Sequence, residues 1–130
     1  RSVKRGWKND PLRELEGVFQ QQIAFIARHP DVPRRLLSWL AQDCDPGLQR
    51  RVRMLIAYYA TRLAQIITRA KQQGQVRADI KPDAAAISLV GVIRKLVVET
   101  HAIPQQRESF LRKAAELFAL YRTALAVPSK

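Results

Sequence analysis

Residues 45–74 read DPGLQRRVRMLIAYYATRLAQIITRAKQQG, and this stretch decides the fold class. Asp45 and Pro46 form a helix start, because an aspartate caps free N–H groups and proline fits the first helical position. Apolar residues then recur at spacings of three and four, which indicates one buried stripe: Leu48, Val52, Leu55, Tyr59, Leu63, Ile66 and Ile67. Gly74 is placed to end the helix in a left-handed turn. The stretch predicts one long helix that ends at about Gln73.

The same signals appear before this helix. Asp10 and Pro11 begin a first helix, which ends at His29-Pro30 because the residue before a proline avoids the helical region. Its stripe recurs at helical spacing: Leu12, Leu15, Phe19, Ile23 and Ile26. A short second helix begins at Asp31-Val32-Pro33.

Two further helices are predicted after it. Pro82-Asp83 opens a fourth helix that runs through about Glu99, and Pro104 separates it from a fifth over roughly residues 105–126. No stretch alternates with period two for long enough to be a strand. We therefore expect an all-α fold, a bundle of five helices.

Composition restricts the class of protein. The chain has 130 residues, 47% of them hydrophobic, which suits one globular domain and excludes a disordered chain. The lone Cys44 cannot form an intrachain disulfide. The longest apolar stretch, residues 84–93, is too short to span a membrane, and no secretory signal is visible. We expect a cytoplasmic protein without a membrane partner.

The charge is unusual: 23 Lys and Arg stand against 11 Asp and Glu, a net charge of +12. Such a surplus is typical of proteins with polyanionic partners, although solvated helix faces rich in arginine would produce it too. Residues 1–8 hold four positive charges and no acid. No acid interrupts the basic residues between Asp45 and Asp79 either: Arg50, Arg51, Arg53, Arg62, Arg69, Lys71 and Arg77.

Catalytic groups are scarce. The two histidines, His29 and His101, each lie beside a predicted helix end, where capping or dipole interaction is the common role. No spacing of His, Cys, Asp and Glu suits a metal, and no glycine-rich loop suits a phosphate. We expect no enzyme activity, no metal site and no cofactor.

The fourth and fifth helices carry more apolar surface than one core requires, which favours a dimer interface over two central helices of a monomeric bundle. The residues expected in a homodimer interface are Ile87, Gly91, Val98, Leu117, Leu120 and Tyr121. The long helix favours a ligand site, because tyrosine hydroxyls and a guanidinium beside an apolar wall can orient a ligand. The alternative is that its arginines extend to water and its tyrosines border the core. The expected pocket lining is Phe19, Ile23, Trp39, Leu55, Tyr58, Tyr59 and Arg62.

Residues 69–86, RAKQQGQVRADIKPDAAA, resemble the segment of TetR-family transcriptional regulators that joins the long central helix to the first dimerisation helix. Residues 10–15, DPLREL, and 25–30, FIARHP, resemble the helix that opens the same regulatory domain. The likeness runs in order from about residue 10 to residue 126. Nothing in the chain resembles the family's helix-turn-helix domain. Arg94-Lys95 also departs from the small or uncharged residues of many relatives.

The resemblance implies a regulatory domain over residues 10–126, preceded by a linker at 1–9 toward an absent DNA-binding head and followed by a tail at 127–130. It implies a homodimeric regulator, a repressor released by a small molecule, with DNA bound through the absent N-terminal domain. The residues of the predicted pocket suit an effector that is apolar with one polar or anionic end. The alternative is a basic helical module that binds nucleic acid directly through Arg50, Arg51, Arg53 and the segment 1–8.

Overall fold

The computed structural model describes residues 10–41, 45–100 and 107–127, and these ranges form a bundle of five α-helices. The prediction of an all-α fold is confirmed. In chain order the helices are α1 (Pro11–Arg28), α2 (Asp31–Ala41), α3 (Pro46–Gln72), α4 (Pro82–Thr100) and α5 (Arg107–Leu125). None of the described helices is both long and apolar enough to cross a bilayer.

Aspartate caps begin two of these helices, as the sequence predicts. The Asp10 carboxylate accepts a hydrogen bond from the Arg13 backbone N–H at 3.2 Å, and Asp45 accepts one from Leu48 at 3.0 Å. Proline follows each cap, where its missing N–H costs no hydrogen bond. The starts of α1 and α3 therefore follow from local chemistry alone.

Gly74 ends α3 in the predicted way. Its φ is +79°, in the left-handed region that glycine adopts without steric cost. The Gly74 N–H donates to the Lys71 carbonyl at 3.1 Å, and the Gln75 N–H donates to the Ala70 carbonyl at 2.9 Å. These paired bonds satisfy two carbonyls at the helix end, which is the Schellman arrangement.

The core lies where α1, α3, α4 and α5 meet. Its fully buried side chains include Leu15, Leu63, Ile67 and Leu89, and no described polar or charged residue is buried with them. The rings of Phe19 on α1 and Phe118 on α5 stack with centroids 4.9 Å apart. Helix α2 packs against α3 and α4 at the edge of this core.

The connection between α3 and α4 forms hydrogen bonds with the start of the first helix and the end of the last one. The Gln75 side chain accepts a hydrogen bond from the Leu12 N–H at 3.1 Å and donates one to Asp10 at 2.9 Å. The hydrogen bond from Gln75 is the largest cause of a lowered pKa at Asp10. Next in the chain, the Arg77 N–H donates to the Leu125 carbonyl at 2.9 Å. The loop therefore fixes the start of α1 to the end of α5.

Candidate ligand-binding groove and exposed helix faces

The predicted apolar stripe of α3 is buried along the C-terminal half of the helix and only partly covered along the N-terminal half. In the C-terminal half, Leu63, Ile66 and Ile67 are buried, as the predicted stripe requires. In the N-terminal half, Val52 is buried but Leu55 is 61% exposed, although both belong to the same predicted stripe. A groove lies beside Leu55, where the stripe is not covered by the core.

This groove has a volume of about 240 Å³ and lies among α1, α2, α3 and α4. Its walls are almost wholly apolar, with a few polar groups among them, which is the composition of small-molecule sites. The lining residues are Gln22, Ile26, Pro33, Leu36, Leu55, Ile56, Tyr59, Val90, Ile93, Arg94 and Val97.

Tyr59 lines this groove and carries a buried polar atom. Its hydroxyl is shielded from solvent, and among the described residues no atom forms a hydrogen bond with it. Burial raises the pKa of Tyr59 to about 12, opposed in part by the positive charge of Arg62, so the phenol is neutral at physiological pH. A buried hydroxyl without a partner costs about 1–3 kcal/mol, and a ligand acceptor would recover much of that cost.

Arg94 on α4 supplies a cation at the edge of the groove. The side chain is exposed, and within the described ranges it forms no ion pair or hydrogen bond. The groove therefore combines an apolar wall, a buried hydrogen-bond donor at Tyr59 and a guanidinium with unused donors. This combination suits an apolar molecule with a carbonyl or carboxylate end.

Only part of the predicted pocket lining meets at this groove. Leu55 and Tyr59 line it. Phe19 and Ile23 are core residues, and they border a separate depression of about 210 Å³ between α1 and α5. Trp39 is half-buried on α2, where its carbonyl accepts a hydrogen bond from the Gln49 side chain at 3.3 Å, and it does not line the groove.

The predicted polar anchors, Tyr58 and Arg62, lie on the solvent face of α3 and do not line the groove. At about 100° per residue, a shift of one position carries a side chain from the open face to the core side. Of the two tyrosines predicted in the lining, Tyr59 lines the groove and Tyr58 does not, and the arginine at the groove is Arg94 instead of the expected Arg62. Residues from α1, α2 and α4 complete the lining. Which of them lie together depends on how the helices pack, and this cannot be predicted from the spacing of residues within one helix.

The expected interface residues divide into two groups. Ile87, Val98 and Leu120 are exposed at 65%, 57% and 70%, and Gly91 is exposed between the first two on α4. Leu117 and Tyr121 are half-buried within the chain. Tyr121 already donates its hydroxyl proton to the Ala85 carbonyl of α4, and burial raises its pKa.

A second, wider groove of about 840 Å³ runs between α3 and α4 beside this face. Small residues form much of its floor, and charged residues lie toward its ends. Arg53 and Arg94 lie toward one end and Asp83 toward the other, because the two helices run in opposite directions. The lining is Arg53, Ile56, Ala57, Ala60, Thr61, Asp83, Ile87, Val90, Gly91 and Arg94.

The basic residues also divide into paired and unpaired sets. Arg69 pairs with Glu14 at 3.0 Å and Arg122 pairs with Glu16 at 3.2 Å, so α3 and α5 are each linked to α1. The prediction that the arginines of residues 50–53 are exposed is confirmed. The basic segment 1–8, Cys44 and His101 lie outside the described residues.

No cluster of three or more His, Cys, Asp or Glu side chains suited to a metal occurs in the part of the chain that the structure describes. Comparison of the chain with protein-family models, with curated proteins and with solved structures finds no match. The likeness to TetR-family regulators therefore rests on the segments 10–15, 25–30 and 69–86.

Proposed function

We propose that these five helices form the effector-binding and dimerisation region of a TetR-like transcriptional regulator, a repressor released by a small molecule. One observation carries the proposal: Tyr59 lines an apolar groove formed by four helices, and its buried hydroxyl has no hydrogen-bond partner among the described residues. A folded chain leaves such a donor unsatisfied at a cost in stability. A ligand that accepts a hydrogen bond from the Tyr59 hydroxyl would explain why the protein keeps a polar group that lowers the stability of the ligand-free fold.

The effector in this proposal is a small apolar molecule with one carbonyl or carboxylate end. The Tyr59 hydroxyl donates to its oxygen, and Arg94 supplies a charge-assisted hydrogen bond at the groove edge. Because the groove is only about 240 Å³, the effector is smaller than a typical drug-sized ligand. The effector class is the one expected from the sequence, but the side chains proposed to bind its polar end are Tyr59 and Arg94.

A second copy of the chain is the proposed cover for the exposed face of α4. At about 100° per residue, Asp83, Ile87, Gly91, Arg94 and Val98 fall within an arc of about 80°. A two-fold axis near residues 88–89 would place Asp83 of one α4 opposite Arg94 of the partner subunit, with apolar residues between them. The face is therefore self-complementary, as an isologous interface requires. Leu120 on α5 extends the apolar area of this surface.

Regulation would follow from the position of Arg94, which borders both the ligand groove and the α3–α4 groove. An effector that binds one dimer arrangement better than another shifts the balance between the two by the difference in affinity alone. In TetR-family regulators that shift changes the spacing of the DNA-binding heads. In this proposal the DNA contact belongs to such a head and not to the described helices.

Calorimetric titration with medium-chain fatty acids and aromatic carboxylates tests the groove. We expect at least one of these probes to bind, and Tyr59→Phe to weaken that probe about tenfold, because one buried hydrogen bond is lost. Tyr58→Phe is the matched control, since it removes the same atom from an exposed ring, and it should leave affinity unchanged. Equal effects of the two substitutions, or no binding by any probe, would contradict the proposal.

A second candidate function is direct binding of nucleic acid, and it is favoured by the exposed arginines Arg50, Arg51 and Arg53, which form no ion pair with any part of the chain that the structure describes. Phosphate contacts by such residues bind any sequence and weaken steeply with salt. The two functions differ in a measurable way, because effector-binding helices alone should not hold DNA at physiological salt, whereas a nucleic-acid module should.

A further inference from the structure

One exposed stripe of α3 lies mostly outside the groove and the α4 face, and of its five residues only Leu55 also lines the groove. We call it the outer stripe of α3, and it consists of Arg51, Met54, Leu55, Tyr58 and Arg62. Met54 and Tyr58 are 66% and 67% exposed, which is high for large apolar or aromatic side chains. At about 100° per residue the five residues fall within an arc of about 100°, the width that one packed neighbour helix covers.

The charge of this stripe indicates an anionic partner. Arg51 and Arg62 lie at its two ends, about 16 Å apart along the helix axis. Both side chains are exposed, and neither forms an ion pair within the described ranges. No acidic residue occurs from position 46 to position 78 to neutralise them.

A second copy of the chain does not suit this stripe. If two α3 helices packed antiparallel through it, Arg51 of one would face Arg62 of the partner subunit. If they packed parallel, each arginine would face its own equivalent. Like charges directly opposed across an interface are destabilising, so the partner must carry acidic residues of its own.

The arrangement also distinguishes among anionic partners. In a helix that lies on a membrane, the cations occupy the polar side and the apolar residues form the opposite face. Here the two arginines lie in line with the apolar residues, so insertion would carry guanidinium groups to the same depth as Met54 and Tyr58. A nucleic-acid backbone would meet the arginines but leave Met54 and Leu55 without apolar contacts.

We propose that the outer stripe of α3 is a docking surface for an acidic amphipathic helix of another protein. Apolar residues of the partner helix, at spacings of three and four, would cover Met54, Leu55 and Tyr58. Acidic residues about eleven positions apart would meet Arg51 and Arg62. One helix face buries much less area than a stable complex needs, so the contact is transient and sensitive to salt.

The test is fluorescence anisotropy with a labelled synthetic helix of about 18 residues, long enough to be helical when bound. The probe carries leucines at i, i+3, i+4 and i+7 and glutamates eleven positions apart, and a shuffled peptide of the same composition is its control. The protein variants are Arg51→Glu with Arg62→Glu, and Met54→Gln with Tyr58→Gln. The matched control is Arg28→Glu with Arg112→Glu, two exposed arginines outside α3 that change the net charge equally.

We expect the patterned peptide to bind and the shuffled peptide to bind at least about fivefold more weakly. Both stripe variants should weaken binding by about tenfold, whereas the control variant should change it by less than about twofold. If the stripe variants and the control variant lost affinity for the peptide equally, net charge alone would explain the binding, and the proposal would be overturned. Failure of the peptide to bind, or binding instead to phosphatidylglycerol vesicles or duplex DNA through the same residues, would also overturn it.

Discussion

At the scale of single residues, the position of one hydroxyl decides the proposed site. Tyr58 and Tyr59 are adjacent and chemically identical, yet one ring is open to solvent and the other has its hydroxyl buried. Helical spacing puts Tyr59 in the predicted apolar stripe of α3 and Tyr58 beside it, and the sequence predicts both in the pocket lining. Whether Tyr58 also reaches the groove depends on the rotation of α3, which packing against α1 and α4 sets.

Tyr59→Phe should make the ligand-free chain more stable by about 1 kcal/mol, because it removes a buried hydroxyl that has no hydrogen-bond partner among the described residues. Alkaline pH should enlarge this gain. Tyrosine in the unfolded chain loses its proton near pH 10, whereas burial raises the pKa of Tyr59 to about 12. Below pH 10 the pKa difference has no effect, and between about pH 10 and pH 12 stability falls as the unfolded state releases its proton first.

Urea unfolding of the wild type and of Tyr59→Phe at pH 8 and at pH 11 measures both effects. Tyr121 has a raised pKa as well, so the comparison uses the difference between the two proteins at each pH. Tyr58→Phe is the control and should change stability by less than about 0.5 kcal/mol, as exposed positions usually do. A lower stability of Tyr59→Phe at pH 8 would show that the hydroxyl has a partner inside the fold.

At the scale of helices, the signals that could be predicted are those that act within a few residues. Asp10 and Asp45 cap α1 and α3, and Gly74 ends α3, each through hydrogen bonds to backbone groups nearby in the chain. The two faces of α4 were also predictable, because helical periodicity separates the buried Leu89 from the exposed Ile87. The groove was not predictable, because it forms only where α2 and α4 pack against the same part of α3, and packing between helices cannot be predicted from the pattern within each one.

Gly91 in the exposed face of α4 tests what covers that face. A methyl group added there would meet no atom within 4 Å in the single chain. Gly91→Ala should therefore stabilise the isolated subunit by about 1 kcal/mol, the difference in helix propensity. Gly91→Arg should also fold, but it should separate the subunits if a partner helix packs against α4.

Light scattering and chemical unfolding across a range of protein concentrations measure the two expectations together. Gln21→Arg is the control, since it introduces the same side chain at an exposed position of α1, away from the α4 face. A wild-type chain that stays monomeric at high micromolar concentration would contradict the dimer. So would a Gly91→Arg variant that dimerises as well as the wild type.

At the scale of the whole molecule, charge separates the two candidate functions. The net charge of +12 creates a long-range attraction for any polyanion, and it is strongest at low salt. Ion pairs such as Arg69–Glu14 use some arginines to join helices, while Arg50, Arg51 and Arg53 remain exposed. In the proposed regulator these arginines only attract DNA over a distance, because a DNA-binding domain would make the sequence-specific contacts. A nucleic-acid module would need these arginines to make the contacts themselves.

Titration with an unrelated DNA duplex at low and at physiological salt distinguishes these cases. We expect weak binding at low salt that disappears at physiological salt. Arg50→Glu with Arg53→Glu and Arg28→Glu with Arg112→Glu both lower the net charge from +12 to +8, so both should weaken low-salt binding equally if the attraction is general. A selective loss in the first variant, with wild-type binding that survives physiological salt, would assign the contacts to α3 and favour the nucleic-acid function.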